Sequence, residues 1–323
     1  VDVVSVVREA AAGALAPAAG RPLVLMLSGG RDSVCLLDVA LALHGGRALC
    51  ALHVNYGLRE EAAGDEQACV ALCGALGVEL RLLRERRSPR DGAAPGCSSG
   101  NLQAWAREVR YREAGRIAQE QDGLFATGHT ASDQVETILY RLASSPGRRA
   151  LQGMVAGEGR LIRPLLSVTR EQTAAYCQAR SLQWREDASN DDERYARARV
   201  RHGLLAALRA VHPAADANVL RTARLLREET ELLDGLVEEE LGGRSSIAIA
   251  RLQELPPALA RLVVVRLAED AVGDYAPQAG DRVEEIIALA RRGGRAELHV
   301  GANAGAVIED GTLHMVRLPP RGD

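Results

Sequence analysis

Ser28-Gly29-Gly30-Arg31-Asp32-Ser33 follows an apolar run at residues 23–27 and precedes a helix-like stretch at 34–43. Strand, glycine turn and helix start together make an anion site. Glycine lets the backbone come close to an anion. The first free N–H groups of the helix then point at that anion, helped by the positive end of the helix dipole. Asp32 is an acceptor and cannot ligate phosphate directly, but it can hold a cation such as Mg²⁺ that bridges to phosphate oxygens. The loop lacks the lysine of a Walker A motif. The whole chain in fact has no lysine, so all 40 basic residues are arginine. That excludes Walker A ATPases and Schiff-base chemistry on a protein lysine. The same hexapeptide also suits an ordinary strand-to-helix turn.

A chain of 323 residues suggests one large domain and a smaller one. With 47% hydrophobic but only 3% aromatic residues, the expected core is Ala, Leu and Val, and rows of base-stacking rings are excluded. The net charge of −3 is not that of a general nucleic-acid binder. It is unevenly spread: residues 1–213 carry 27 Arg against 24 acids, and residues 214–323 carry 13 against 19. RNA binding would therefore fall to local arginine patches, which suit bidentate phosphate contacts. The six cysteines form no C-x-x-C pair; Cys69 and Cys73, four apart, read as helical core rather than a metal site. No signal-peptide pattern and no run of membrane-spanning length is seen, and a cytoplasmic protein without membrane contact is expected.

Outward from the loop, strand candidates at 23–27, 49–54, 79–83 and 124–127 alternate with helical patterns near 32–44, 60–76, 101–121 and 132–142, after a lead-in helix at 3–15. This alternation predicts a doubly wound parallel sheet covered on both faces, with ligands beyond the carboxyl ends of the strands. Residues 85–100 read as a long loop that suits either a lid or a disordered insertion. After Pro213 the pattern changes to one long helix at 214–241, shorter helices near 257–270 and 277–293, and strands at 296–300, 305–309 and 312–316 with a hairpin signal at Asp310-Gly311. The expected domains are 1–213 and 214–323.

Further motifs fall at strand ends. His53-Val54-Asn55-Tyr56-Gly57-Leu58-Arg59 offers an imidazole, an amide and a guanidinium for nucleotide contact. In the helix after 101, spacing puts Gln103, Arg107 and Arg110 on one side, where the arginines suit phosphate or simply water. Thr127-Gly128-His129-Thr130-Ala131-Ser132-Asp133-Gln134-Val135-Glu136 places His129, Asp133 and Glu136 at spacings of four and three, one helical face. Such a set can hold Mg²⁺, bind an ammonium group or accept a proton. A Ser132 N-cap would account for Asp133 alone. Arg163-Pro164-Leu165-Leu166, Asp187-Ala188-Ser189-Asn190 and a basic stripe in which Arg194, Arg197 and Arg201 share a face complete the series. The stripe suits triphosphate or RNA backbone, or a solvated helix face.

The hexapeptide after a strand resembles the PP-loop of the N-type ATP pyrophosphatases, which split ATP between its α- and β-phosphates. Taken in order, S-G-G-R-D-S, H-V-N-Y-G-L-R, N-x-x-A-x-A-R-x-x-R-Y, A-T-G-H-x-x-x-D-Q-V-E-T, R-P-L-L, D-A-S-N and R-x-R-x-R resemble the tRNA(Ile)-lysidine synthetase family over roughly residues 20–205. That family joins free L-lysine to carbon-2 of the first anticodon cytidine of a tRNA(Ile) with a CAU anticodon, through an adenylated base. The resemblance implies a Rossmann-like PP-loop domain followed by a smaller, mostly helical α+β domain. It implies an ATP site at Ser28, Gly29, Gly30, Arg31, Asp32 and Ser33 with His53, Gly128 and His129, and Mg²⁺ at Asp32 and Asp133. Catalytic roles fall to Asp32, Asp133, Glu136, Arg110 and Arg201, with His129 also lining the lysine and cytidine site. Related enzymes point to a homodimer. Tyr56, Gln103, Thr130 and Ala198 depart from the family's usual residues, which touches fine substrate contacts rather than the reaction class. Other PP-loop enzymes such as tRNA thiolases, and a non-catalytic nucleotide- or RNA-binding relative, are the alternatives.

Overall fold

The structure, a computed structural model, describes residues 2–46, 48–57, 62–86, 102–145, 147–185 and 196–319. The chain divides into two compact units: Val1–Ala143 with Gly153–Leu220, and Ser144–Gln152 with Arg221–Asp323.

In the first unit, α1 (Val3–Leu15) leads into β1 (Leu23–Met26), α2 (Arg31–His44), β2 (Leu49–Asn55), α3 (Ala62–Leu76), β3 (Glu79–Arg84), α4 (Leu102–Glu120), β4 (Leu124–Ala126) and α5 (Ala131–Ser144). The short strands β5 (Gly157–Glu158) and β6 (Leu161–Ile162) and helix α6 (Arg170–Ala179) follow. The sheet order is β3-β2-β1-β4-β6-β5, with only the β5–β6 pair antiparallel. Both faces are covered, and the strands show it residue by residue. Leu23, Leu25 and Leu27 pack into one core with Val7, Leu36 and Tyr176, while Val24, between them, packs with Ala114, Ile117 and Phe125 on the other side. Period-two alternation in an all-apolar strand is what a sheet buried on both faces requires. The core is Ala, Leu, Val and Cys, as the low aromatic content dictates; Cys69 and Cys73 are buried within it.

Beyond 196 the chain forms a helix with a defect. Alpha-helical α7 (Ala196–Arg199) widens into a π-helical turn, Val200–Leu205, before α8 (Ala206–Val211). Helix α9 (Ala215–Leu241) is unbroken and ends at Gly242 and Gly243, both with positive φ.

In the second unit, β7 (Ser246–Ala248), α10 (Ile249–Glu254), α11 (Pro257–Val272), α12 (Val283–Ala290), β8 (Ala296–Gly301), β9 (Ala304–Glu309) and β10 (Thr312–Arg317) form an antiparallel sheet, β7-β10-β9-β8, with Val263, Val264 and Leu267 of α11 against Ile308 and Leu313. The β9–β10 hairpin turns at Asp310 (φ 47°) and Gly311 (φ 70°). Two consecutive positive φ values match the right-handed twist of the paired strands. Arg149 ties residues 144–152 into this unit through Glu269 (2.6 Å) and Asp234 (3.1 Å).

Three expectations need correction. Strands β5 and β6 and helix α6 were not anticipated. Helix α5 begins at Ala131, so His129 precedes it and does not share its face with Asp133 and Glu136. The π turn also breaks the α spacing assumed for Arg197 and Arg201, because each π turn holds more residues than an α turn.

Candidate functional site

In the order β3-β2-β1-β4 the chain reverses direction of winding between β1 and β4, and the loops after these two strands meet. Gly128 makes the meeting close. A Cβ there would lie 3.0 Å from the carbonyl carbon and oxygen of Asp32 and 3.1 Å from the Ser33 nitrogen. A crevice at such a switch point is where parallel sheets bind ligands.

The loop after β1 is built to present amides. Gly29 has φ +83°, and a side chain there would press on the Cys69 sulfur at 3.3 Å. Ser33 is buried and braces the turn: its hydroxyl accepts the Ser28 N–H (3.2 Å) and donates to the Gly30 carbonyl (2.8 Å). The Arg185 N–H donates to the Gly29 carbonyl (3.0 Å), closing the turn from behind. Gly30 caps α2 without any side-chain hydrogen bond. The N–H groups of Arg31 and Asp32 carry no hydrogen bond among the described residues. Free donors at the N-terminus of a 14-residue helix fit a phosphate group.

The loop after β4 presents acids. Thr130 is the N-cap of α5 in a capping box with Asp133. The Thr130 N–H and hydroxyl both donate to Asp133 Oδ2 (2.8 Å each), and the Asp133 N–H donates back to Thr130 Oγ1 (3.4 Å). Ser132 does not cap; its hydroxyl accepts the Arg170 N–H at 3.2 Å. Asp133 and Glu136, three apart on α5, are bridged by Arg170, the first residue of α6. One terminal nitrogen donates to Asp133 Oδ1 (2.7 Å), the other to Glu136 Oε1 (2.9 Å), and Nε lies 3.8 Å from Asp32 Oδ2. Glu136, with a side chain only 2% exposed, also takes Arg201 Nε (2.7 Å) and Nη2 (3.2 Å) from the π turn. Asp32 accepts Thr173 Oγ1 (2.5 Å) and Arg31 Nε (3.2 Å). Burial pushes the Asp133 carboxyl upward, but Arg170 and the Thr130 N–H outweigh it and hold it below the usual value.

A second charged group has the opposite character. Burial lowers the His129 imidazole to about 4 against the pull of Asp133, and Arg107, Arg163 and Arg197 add to the fall. His129 is therefore neutral at pH 7, with Nδ1 2.7 Å from the Thr127 hydroxyl. Burial lowers Arg107 as well, and Arg197, Arg110 and Arg163 repel it; its guanidinium stacks on Tyr111 at 4.4 Å. Arg110 Nε is buried without a hydrogen-bond partner, as is Arg163 Nε.

Of the residues expected at an ATP site, Ser28, Gly29, Gly30, Arg31, Asp32 and Ser33 form the loop described. His53 is buried beneath it, with Nδ1–H donating to the Leu27 carbonyl (2.9 Å) and lying 3.4 Å from the Cys69 sulfur; it supports the strand end. Gly128 permits the loop contact. Asp32, Asp133 and Glu136 converge, and Arg201 joins them, spent on Glu136 rather than set out with Arg197 as a phosphate grip. Arg110 lies instead with Arg107. Asp32 and Asp133, the pair expected to hold Mg²⁺, are linked through Arg170 and do not fit a resident divalent ion in this arrangement. Among the described residues no three His, Cys, Asp or Glu side chains converge on a metal-sized position. Tyr56 donates to the Ala106 carbonyl (2.6 Å) and packs on Trp105, Gln103 is exposed, and Ala198 is buried. Residues 87–100 of the loop expected at 85–100, Arg59, the 187–190 motif and Arg194 lie outside the described residues. Arg170 and Thr173 were missed by sequence reasoning. Thr169 and Gln172 form a capping box that could have announced their helix, though not the reach of Arg170 across to α5.

Among the described residues no helix is long and apolar enough to cross a membrane. A family model described as a PP-loop domain matches residues 5–208. The chain is 38% identical over 224 residues to the tRNA(Ile)-lysidine synthase of Pseudomonas fluorescens strain Pf0-1, covering 67% of this chain and 48% of that protein. It is 34% identical over 285 residues to that of Solibacter usitatus, covering 84% and 62%. It is 35% identical over 289 residues to that of Dehalococcoides mccartyi, covering 83% and 60%. The chain thus spans about half to three fifths of the length of these curated relatives. Among solved structures, the U34-tRNA thiolase NcsA of Methanococcus maripaludis is similar in fold, with a TM-score of 0.57, 16% identity, and coverage of 70% of this chain and 80% of that one.

Proposed function

The chain belongs to the PP-loop domain family, and from that premise we propose that it is an ATP-dependent ligase that joins L-lysine to carbon-2 of the wobble cytidine in the CAU anticodon of a tRNA(Ile). Residues 1–213 act as the catalytic domain and 214–323 as a tRNA-contacting or structural domain. The observation that carries the reading is the joining of two loops by Gly128, which sets a cradle of free amides beside a cluster of carboxylates.

The chemistry follows from the two halves. The amides of Arg31 and Asp32 hold the phosphate tail of ATP. The cytosine carbonyl oxygen attacks the α-phosphorus, the bond to the β-phosphate oxygen breaks, and pyrophosphate leaves toward fixed positive dipoles. A lysine amine then attacks carbon-2 of the activated base, loses a proton, and AMP departs. With a reference pKa of about 10.4, that amine arrives as a cation. A carboxylate held low, as Asp133 is, suits binding the ammonium more than removing its proton. Arg107, Arg110 and Arg197 supply contacts for RNA phosphates, where the carboxylates would repel them.

Relatives bearing the tRNA(Ile)-lysidine synthase name support this acceptor. Among the described residues the thiolase alternative finds no exposed thiol: Cys35, Cys50, Cys69, Cys73 and Cys177 are all buried. The test supplies ATP, labelled L-lysine and bulk bacterial tRNA. Label in tRNA with AMP and pyrophosphate is expected. AMP without label moves the function to another acceptor, and ADP with orthophosphate overturns the reading altogether. Asp133→Asn should lower lysine incorporation by about 100-fold or more with a folded protein; near-normal turnover refutes its role.

A further inference from the structure

Every carboxylate oxygen of the acid cluster already faces a donor. Asp32 Oδ1 has Thr173 and Arg31, and Asp133 Oδ2 has the Thr130 N–H and hydroxyl. Glu136 Oε2 has Arg201. The other three oxygens, Asp32 Oδ2, Asp133 Oδ1 and Glu136 Oε1, all face the guanidinium of Arg170, at 3.8, 2.7 and 2.9 Å, and Glu136 Oε1 shares it with Arg201 Nε at 2.7 Å. The position shared by the three acids is thus filled by a cation belonging to the chain itself.

Arg170 differs from the other arginines here in how it is held. Its backbone is fixed, as the first residue of α6 behind the Thr169 cap with its N–H on Ser132. Its side chain is 22% exposed and reaches in from that anchor. Arg201 grips Glu136 through two nitrogens and makes Glu136 independent of Arg170. Thr130 does the same for Asp133. Withdrawal of Arg170 therefore leaves no carboxylate without a donor, only the cluster one cation short. Uncovering buried carboxylates is costly, whereas exchanging one cation for another is not. The group that fits in exchange is a monovalent ammonium of similar reach, not a bare divalent ion.

We propose that the guanidinium of Arg170 is a stand-in for the substrate's ammonium group: it occupies the seat between Asp32, Asp133 and Glu136 and yields it on binding, so that Arg170 is a positioning residue that sets the affinity for a cationic amino acid. The identity of that amino acid rests on the lysine reading above; the seat itself does not. The exchange is cation for cation and breaks no covalent bond. It discriminates by charge, since an uncharged side chain cannot compensate the carboxylates that Arg170 leaves behind.

The test uses the full chain, titrated calorimetrically with L-lysine and, separately, methylammonium, against NaCl at matched ionic strength. Arg170→Gln should bind both about tenfold more tightly than the unsubstituted protein, because the competitor is gone. In the unsubstituted protein, saturating ligand should shift the ¹⁵Nε resonance of Arg170, assigned through Arg170→Lys, and leave that of Arg201 in place. Equal or weaker binding by Arg170→Gln, or an unmoved Arg170 resonance, overturns the proposal. If Arg170→Gln does not fold, the resonance decides alone. If methylammonium behaves as expected and L-lysine binds neither protein, the seat stands and the lysine reading fails. If neither ligand distinguishes the two proteins, the seat is wrong.

Discussion

Asp32, Asp133 and Glu136 lie among Arg31, Arg170 and Arg201 at distances of 2.7–3.8 Å. Arg107 and Arg197 act on His129 and Arg110 on Arg107, with no ion pair for these three among the described residues; Arg163 has one acid within reach, Glu158 at 3.9 Å, and donates to the Val155 carbonyl. One group is neutralised from within. The other is left positive, although its members repel one another and two of them hold buried nitrogens without partners. Like charges brought together without counter-ions cost stability, so their position is better explained by something they meet than by the fold they sit in. The pairing also explains how a protein of net charge −3 can still present an unneutralised basic group: the acids of the neighbouring cluster are already paired.

The contrast can be broken most severely at Glu136. Glu136→Ala leaves Arg170 and Arg201 facing a buried position without their shared acceptor, and should destabilise the protein by about 3–5 kcal/mol; urea unfolding measures it, and a change under about 1 kcal/mol would show the network to be dispensable. The next effect concerns His129. Its folded-state value of about 4 lies below the ordinary 6.5, so the unfolded chain binds protons more readily between the two. The contribution is complete above pH 6.5 and is lost as the pH falls toward 4, by up to about 3 kcal/mol. His129→Asn should flatten this part of the stability profile; an unchanged slope would mean that burial, with the arginines beside it, does not hold the imidazole neutral. The smallest effect is expected on the open side. Arg107→Gln with Arg197→Gln should weaken tRNA binding by about tenfold and reduce its salt dependence, with stability within about 1 kcal/mol of the parent. Strong destabilisation with intact binding would turn these residues into structural ones and erase the comparison.

Sequence patterns disclosed the frame of the first unit because its strands are apolar runs bounded by glycine and polar turns. They disclosed Asp32, Asp133 and Glu136 because acids at strand ends have no packing reason to be there. They did not disclose β5 and β6, two residues each, too short to carry a period. They misjudged His129 because Thr130, rather than Ser132, caps α5. The π turn that aims Arg201 has no local signature. Arg170 stayed hidden for a deeper reason: its partners are 34 and 37 residues away, and a guanidinium reads as a surface residue until the fold brings three acids to it.

The contact at Gly128 has a mechanical corollary. Backbone packs on backbone there with no side chain between to absorb a displacement, so the turn after β1 and the start of the loop after β4 are joined directly. A nucleotide that shifts the turn after β1 by a few tenths of an ångström displaces the start of the β4 loop with it. Side chains around either loop can therefore be exchanged while this main-chain joint between them stays fixed.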